Sequence, residues 1–163
     1  MSNVAAASQL FQEGCACSQA ILVPYGTSLG LPKETALQIA SGFAGGMRMG
    51  ETCGAVTGAF MVLGLRHASA GCDRGPGRAE VYERVLEFAD RFEEKNGSLS
   101  CRELLGCDIR TPEGMKEARE RNLFKTTCVA MVECAAAILE EMEAEGSPGV
   151  GRVAATVVSS SPT

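Results

Sequence analysis

The sequence has one histidine and no run of basic residues, and each of these scarcities excludes a class of function. With His67 alone, the chain cannot build a histidine-rich metal site or an acid–base mechanism that needs several imidazoles. Its 15 lysine and arginine residues are scattered among 20 acidic residues, and the formal net charge is -5. Nucleic acid and anionic membranes are therefore not expected as partners.

Long apolar segments and export signals are also missing. The longest apolar stretch, residues 55–65, is interrupted by glycine and is far shorter than the roughly 20 residues that span a bilayer. Residues 1–8 lack the basic start and the apolar core of a signal peptide. We therefore expect a cytoplasmic protein that does not enter a membrane.

Strand alternation is absent as well, and helical patterns separated by glycine and proline fill the sequence as far as residue 145. These patterns cover residues 4–23, a segment from Pro32 to about Gly45, residues 53–68, 78–95 and 101–105, a segment that starts at Pro112, and residues 123–144. We expect Ser100 and Thr111 to cap the helices that follow them, and Gly97 to end the helix over residues 78–95. We expect an all-α domain over residues 1–145, a compact bundle of five to six helices. Residues 146–163 are rich in glycine, serine and proline, which predicts a disordered C-terminal tail.

Cysteine is the residue type that is abundant, with eight in the chain. Without an export signal, so many cysteines indicate redox chemistry or metal binding rather than structural disulfides. No two of them form a CxxC pair. On a helix, Cys15 would point away from Cys17, and Cys128 would point away from Cys134. A cysteine site must therefore be assembled from single residues on different helices.

The most informative segment is residues 50–59, where a glycine-rich loop runs into an apolar helix at Cys53. The unpaired N–H groups of a helix N-terminus favour the thiolate form of a cysteine, so we expect Cys53 to be reactive. Gly54 and Gly58 remove side-chain bulk from one face of this helix, which lets another segment approach closely. The alternative is that Cys53 is a small buried hydrophobic residue. Arg48, just before it, is expected to be solvated rather than paired with a thiolate.

Four blocks of the sequence together resemble one family, the redox-active family named after its C…GCAxxG…C…C pattern. The blocks are residues 17–22 (CSQAIL), 49–59 (MGETCGAVTGA), 99–106 (LSCRELLG) and 128–133 (CVAMVE). The resemblance implies a small, mostly helical protein with a redox role and with four shared cysteines. In this chain those four are Cys17, Cys53, Cys101 and Cys128. The remaining cysteines are then additional to the pattern: Cys15, Cys72, Cys107 and Cys134.

Thiol–disulfide chemistry is the leading hypothesis, which would make the protein a thiol–disulfide oxidoreductase. Cys53 would be the attacking thiolate, and Cys17, Cys101 or Cys128 would be the resolving thiol. The sequence does not identify the redox partner or small-molecule substrate.

Two alternatives stay open. The same four cysteines, Cys17, Cys53, Cys101 and Cys128, would suit a metal ion or an iron–sulfur cluster, or the protein is a non-catalytic helical module whose cysteines fill the core. We also expect a homodimer, because the helix over residues 53–68 is apolar on nearly all sides and needs covering.

Overall fold

Eight α-helices, joined by loops and short 3-10 turns, form the described part of the chain, residues 1–146 of a computed structural model, and this part contains no strand. The helices are α1 (Asn3–Gln12), α2 (Cys17–Ser28), α3 (Lys33–Ala40), α4 (Gly54–His67), α5 (Ala79–Asn96), α6 (Cys101–Leu105), α7 (Pro112–Glu120) and α8 (Thr127–Glu145). The all-α prediction is confirmed, but the count of five to six helices is wrong. The predicted tail begins at residue 146, and its residues 147–163 lie outside the described part.

The first predicted helix is in fact two helices. The helical conformation is interrupted at Gly14, which has a φ of 111°. A new helix, α2, starts after its N-cap residue, Ala16. The predicted stop before Pro24 is also wrong, since α2 continues through it to Ser28. Proline in a helix interior costs about 3 kcal/mol. Here α2 is the most enclosed helix and buries several large side chains, Tyr25 among them, and this burial outweighs the cost.

Several helix boundaries follow from local chemistry, as predicted. The Ser100 hydroxyl accepts a hydrogen bond from the Glu103 N–H at the start of α6. Thr111 caps α7 in the same way, with Pro112 as its first residue. The last helix, however, begins at Thr127 and not at residue 123, because residues 121–126 form turns.

The core lies around α2 and α4. Gly58 lets these two helices approach closely, since a Cβ at this position would lie 2.8 Å from the Ser18 carbonyl oxygen. Tyr25 in α2 donates its hydroxyl to the Ala136 carbonyl oxygen of α8 at 2.9 Å. Helices α2, α5 and α8 all pack on α4, so the covering that motivated the homodimer prediction comes from the chain itself. The oligomeric state stays a prediction.

A second, smaller apolar cluster lies beneath α6 and α7 and includes Leu105, Ile109, Ala118 and Leu123. Gly114 of α7 lets the backbone of Asp108 approach this helix closely, because a Cβ on Gly114 would collide with that backbone. None of the helices in residues 1–146 is long and apolar enough to cross a membrane. The functional residues considered below lie where this cluster meets the main core.

Candidate functional site

A cavity of about 180 Å³ contains the four cysteines that the sequence blocks share, Cys17, Cys53, Cys101 and Cys128. Cys53 and Cys17 belong to the main core, and Cys101 and Cys128 belong to the smaller cluster, so both contribute to its wall. Most of the remaining wall is apolar: Phe11, Ala44, Leu105, Ile109, Phe124 and Met131. The fold therefore brings together four residues that are far apart in the sequence.

Each of the four cysteines lies at the N-terminus of a helix. Cys17 is the first residue of α2, Cys53 is the N-cap of α4, Cys101 is the first residue of α6, and Cys128 is the second residue of α8. The N-terminal ends of helices carry partial positive charge and unpaired N–H groups. The helix N-termini therefore favour negative charge on sulfur, and burial of the thiols opposes it.

A short antiparallel bridge between Thr52 and Ser100 ties two of these helix starts together. The Cys53 N–H donates to the Leu99 carbonyl oxygen at 2.8 Å, and the Cys101 N–H donates to the Glu51 carbonyl oxygen at 2.6 Å. Each cysteine thus follows immediately after the bridge, which fixes the spacing of their backbones. Sequence patterns did not reveal this bridge, since a single pair of residues has no periodicity.

Gly54 places the Cys17 thiol beside the start of α4. A Cβ on Gly54 would lie closer to the Cys17 Sγ than any real Cβ lies to a neighbouring atom, and it would also lie 3.1 Å from the Ala44 Cα. The predicted close approach at this glycine is therefore a contact with sulfur as well as with backbone. Cys17 is also the thiol whose charge has the largest effect on Cys53.

Burial, and not the helix N-terminus, dominates the ionisation of Cys53. The residue is only 7% exposed, and this desolvation raises the pKa of its thiol well above the usual range. The charge of Cys17 raises the pKa further, and the hydrogen bond from the Ala55 N–H lowers it by less. Burial therefore opposes the thiolate expected at Cys53 from the helix N-terminus alone.

The other thiols of the cavity interact in the same way. Burial raises the pKa of Cys101 to about 11, with Cys17 as the next contributor. Burial likewise raises the pKa of Cys128 to about 12, followed by the charges of Cys17 and Cys101. Because each negative charge opposes the next, ionisation of one thiol makes ionisation of its buried neighbours less favourable.

The additional cysteines do not line this cavity. Cys15 lies in the loop before α2 and lines an adjoining groove with Phe11 and Phe124. Cys72 is exposed, as predicted. Cys134 accepts a hydrogen bond from the Asn96 side chain at 3.2 Å, so it diverges from Cys128 as helical geometry required.

Cys107 is buried next to the cavity, and its charge affects Cys101 and Cys128. All eight cysteines are free thiols. Within residues 1–146, no three histidine, cysteine or acidic side chains are arranged to hold a metal ion.

The family assignment agrees with this geometry. The model of the family described as "Putative redox-active protein (C_GCAxxG_C_C)" matches residues 15–142. The chain belongs to this family. The match runs from the loop before α2 into the last turns of α8 and includes all four cysteines of the cavity. No curated protein and no solved structure matches the chain.

Arg48 is exposed, as expected from the sequence, and it also lines the cavity of this redox-family site. It lies at the rim of the cavity, in a loop where Met47 has a φ of 55° and Arg48 a φ of 59°. Gly46 closes the loop, because a Cβ there would lie 2.6 Å from the Glu51 carbonyl oxygen. Glu51 itself is exposed and pairs with Arg102 at 3.2 Å. The signal in the sequence is the group of glycines at positions 45, 46 and 50.

Proposed function

We propose that this member of the redox-active family performs reversible thiol–disulfide exchange in the cavity, with Cys17 and Cys53 as the pair that forms the disulfide. The observation that carries the proposal is the contact of the Cys17 sulfur with Gly54, the residue next to Cys53. A Cβ on Gly54 would displace this sulfur. The strong effect of Cys17 on the ionisation of Cys53 supports the same pair.

The difference in exposure supports separate roles for the two thiols of the pair. Cys17 is half-buried and lines the cavity, whereas Cys53 is buried. A substrate sulfur therefore reaches Cys17 first, and Cys53 acts as the resolving thiol. These are the opposite roles to those expected from the helix N-terminus alone, since an attacking thiol must be accessible as well as ionised.

The exchange then takes two balanced steps. The Cys17 thiolate attacks one sulfur of a substrate disulfide and forms a mixed disulfide, while the other substrate sulfur leaves and takes up the proton that Cys17 had released. Cys53 then attacks the Cys17 sulfur, and the second substrate sulfur leaves with the proton of Cys53. The protein loses two electrons as its disulfide forms, and the substrate disulfide gains them as two thiols.

The first step also prepares the second. In the free protein, a negative charge on Cys17 raises the pKa of Cys53. A mixed disulfide at Cys17 carries no charge on its sulfur, so this repulsion disappears once the substrate is attached. Cys53 therefore ionises more readily at the stage when a second thiolate is needed.

Mapping of disulfides by mass spectrometry tests the proposal. After mild oxidation of the reduced protein, we expect a Cys17–Cys53 disulfide that a dithiol reverses. Cys17→Ser and Cys53→Ser should both abolish it, whereas Cys72→Ser, which changes an exposed thiol outside the cavity, should not. A reversible disulfide between another pair, or none at all, would contradict the proposal.

Metal analysis of anaerobically purified protein tests the competing hypothesis. Near-stoichiometric metal, or iron with sulfide, that is lost in Cys53→Ser would replace thiol exchange by a cysteine-ligated metal site. A colourless, metal-free protein that still forms the disulfide supports thiol exchange.

A further inference from the structure

Arg48 provides an unpaired positive charge at the thiol cavity. Among the residues of the described part of the chain that line the cavity, Arg48 alone is a lysine, arginine, aspartate or glutamate. Its guanidinium folds back over Gly45, where a Cβ would lie 3.7 Å from the Arg48 Cδ and 3.9 Å from one of its terminal nitrogens. Within residues 1–146, Arg48 has no ion pair and no side-chain hydrogen bond, unlike Arg102 and Arg110, which both pair with carboxylates.

The backbone at Arg48 has a conformation that is unfavourable for residues other than glycine. Met47 and Arg48 both adopt the left-handed conformation, which is unfavourable for residues with a Cβ. The Glu51 N–H donates to the Gly46 carbonyl oxygen at 3.2 Å and closes this loop. Such conformations persist where the surrounding structure imposes them, and they cluster at sites that bind ligands.

The size and polarity of the cavity restrict what can bind there. Its volume, about 180 Å³, is below the roughly 300–1,000 Å³ of pockets for drug-sized ligands. Its walls include the apolar side chains of Phe11, Ile109 and Phe124. A short aliphatic chain that bears one charged group therefore fits, whereas a loop of a folded protein does not.

We propose that the substrate is a small organic disulfide that carries a carboxylate, and that Arg48 binds this carboxylate while Cys17 attacks the neighbouring sulfur. The inference rests on the thiol-exchange function proposed above and names the substrate class of that site. The electron balance is unchanged: the substrate is reduced to two small thiols, one of which bears the carboxylate bound by Arg48, and the protein is left with the Cys17–Cys53 disulfide.

Alkylation with two matched reagents tests the anion site without any turnover. Iodoacetate and iodoacetamide are nearly the same size, but only iodoacetate is negatively charged. Mass spectrometry gives the rate of alkylation of Cys17 by each reagent. We expect the ratio of the iodoacetate rate to the iodoacetamide rate to fall about three- to tenfold in Arg48→Gln. Arg48→Lys keeps the charge and should retain most of the ratio. Arg74→Gln removes the same charge from an exposed loop and should leave the ratio unchanged.

The ratio also identifies the result that would overturn the anion site. An unchanged ratio in Arg48→Gln would overturn the anion site. If both rates fell by the same factor, Arg48 would support the loop without selecting charge. If neither rate changed, the guanidinium would not act on the cavity.

Turnover with two small disulfides tests the substrate class. We expect the reduced protein to react faster with dithiodipropionate, which carries carboxylates, than with neutral hydroxyethyl disulfide, and Arg48→Gln should slow only the former. Reaction with both at equal rates would overturn the inference and leave the proposed function intact. No reaction with either, despite a charge-selective alkylation ratio, would overturn the proposed function and the substrate class together.

Discussion

Replacing Gly54 by alanine removes the empty space in which the Cys17 thiol lies. The added Cβ would overlap the Cys17 Sγ, and it would lie 3.1 Å from both the Ala44 Cα and the Phe43 carbonyl oxygen. The two backbone contacts are close to tolerable and need shifts of a few tenths of an ångström. The sulfur must move by roughly 1 Å or more to regain ordinary contact at about 3.5–4.0 Å. Since χ1 is the only torsion that moves this sulfur, the thiol must leave its position against Gly54, the residue that follows Cys53.

Two opposing effects set the change in stability. Overpacking of a well-packed site costs about 1–3 kcal/mol, while alanine is favoured over glycine in a helix by up to about 1 kcal/mol. Gly54→Ala should therefore lower the free energy of unfolding by roughly 1–2 kcal/mol. This is a moderate loss for a domain of this kind, so the variant should fold and its thiols can be compared with those of the wild type.

The same helix supplies two matched controls. Gly58→Ala places a Cβ 2.8 Å from the Ser18 carbonyl oxygen and 3.0 Å from the Ile21 Cβ, so it disturbs the packing of α2 on α4 without touching a thiol. Gly64→Ala has nothing within 4 Å and should increase the free energy of unfolding by about 0.5–1 kcal/mol.

The assay combines urea unfolding of the reduced proteins with the rate of Cys17–Cys53 disulfide formation under a fixed oxidant. We expect Gly54→Ala to slow disulfide formation about tenfold or more, which corresponds to at least ~1.4 kcal/mol in the barrier. Gly58→Ala should lose stability but slow the reaction much less, and Gly64→Ala should leave the rate unchanged. A wild-type rate in Gly54→Ala would refute the argument that this glycine places the thiol. Equal slowing in Gly58→Ala would show that general packing controls the rate.

Two further predictions concern the buried thiols and the glycine loop. Because the pKa values of Cys101 and Cys128 are raised in the folded state, the unfolded chain loses protons first above pH 9, the ordinary thiol value. The free energy of unfolding of the reduced protein should therefore be nearly unaffected by these groups below pH 9 and fall by roughly 5 kcal/mol between pH 9 and 12. Urea unfolding across this range checks the fall, which should be shallower in Cys101→Ser. Gly46→Ala should cost about 2–3 kcal/mol or more because its Cβ meets the Glu51 backbone. Gly42→Ala, which meets nothing, should change the thermal unfolding temperature little, and equal effects would contradict the role of the loop.

Predictions that depend on local chemistry agree with the structure. The caps at Ser100 and Thr111 were predictable because a hydroxyl satisfies the N–H groups within the next three residues, and no other part of the chain is involved. The end of α5 at Gly97, with a φ of 84°, follows from the same kind of argument. The position of Cys53 at the start of an apolar helix was likewise predictable from the sequence, since the glycine loop and the helix are adjacent in the chain.

Predictions that depend on distant contacts fail or were not made. The stop before Pro24 fails because burial of α2 between other helices outweighs the lost hydrogen bond. The ionisation of Cys53 also depends on burial and on three other thiols, which raise its pKa, and no local pattern encodes either. Arg48 is exposed, as expected, but its place in the cavity wall could not be read from the sequence, because it depends on what lies opposite the glycine loop.

The amino-acid order alone was enough to establish an all-α chain, its helix caps, and four cysteines that resemble those of one redox family. These properties follow from periodicity, from neighbouring residues and from matching blocks. The shared cavity, the seating of the Cys17 sulfur on Gly54 and the raised pKa values of the buried thiols needed the folded chain. The physical reason is that desolvation, steric contact and charge repulsion act through space, between helices that the sequence places far apart.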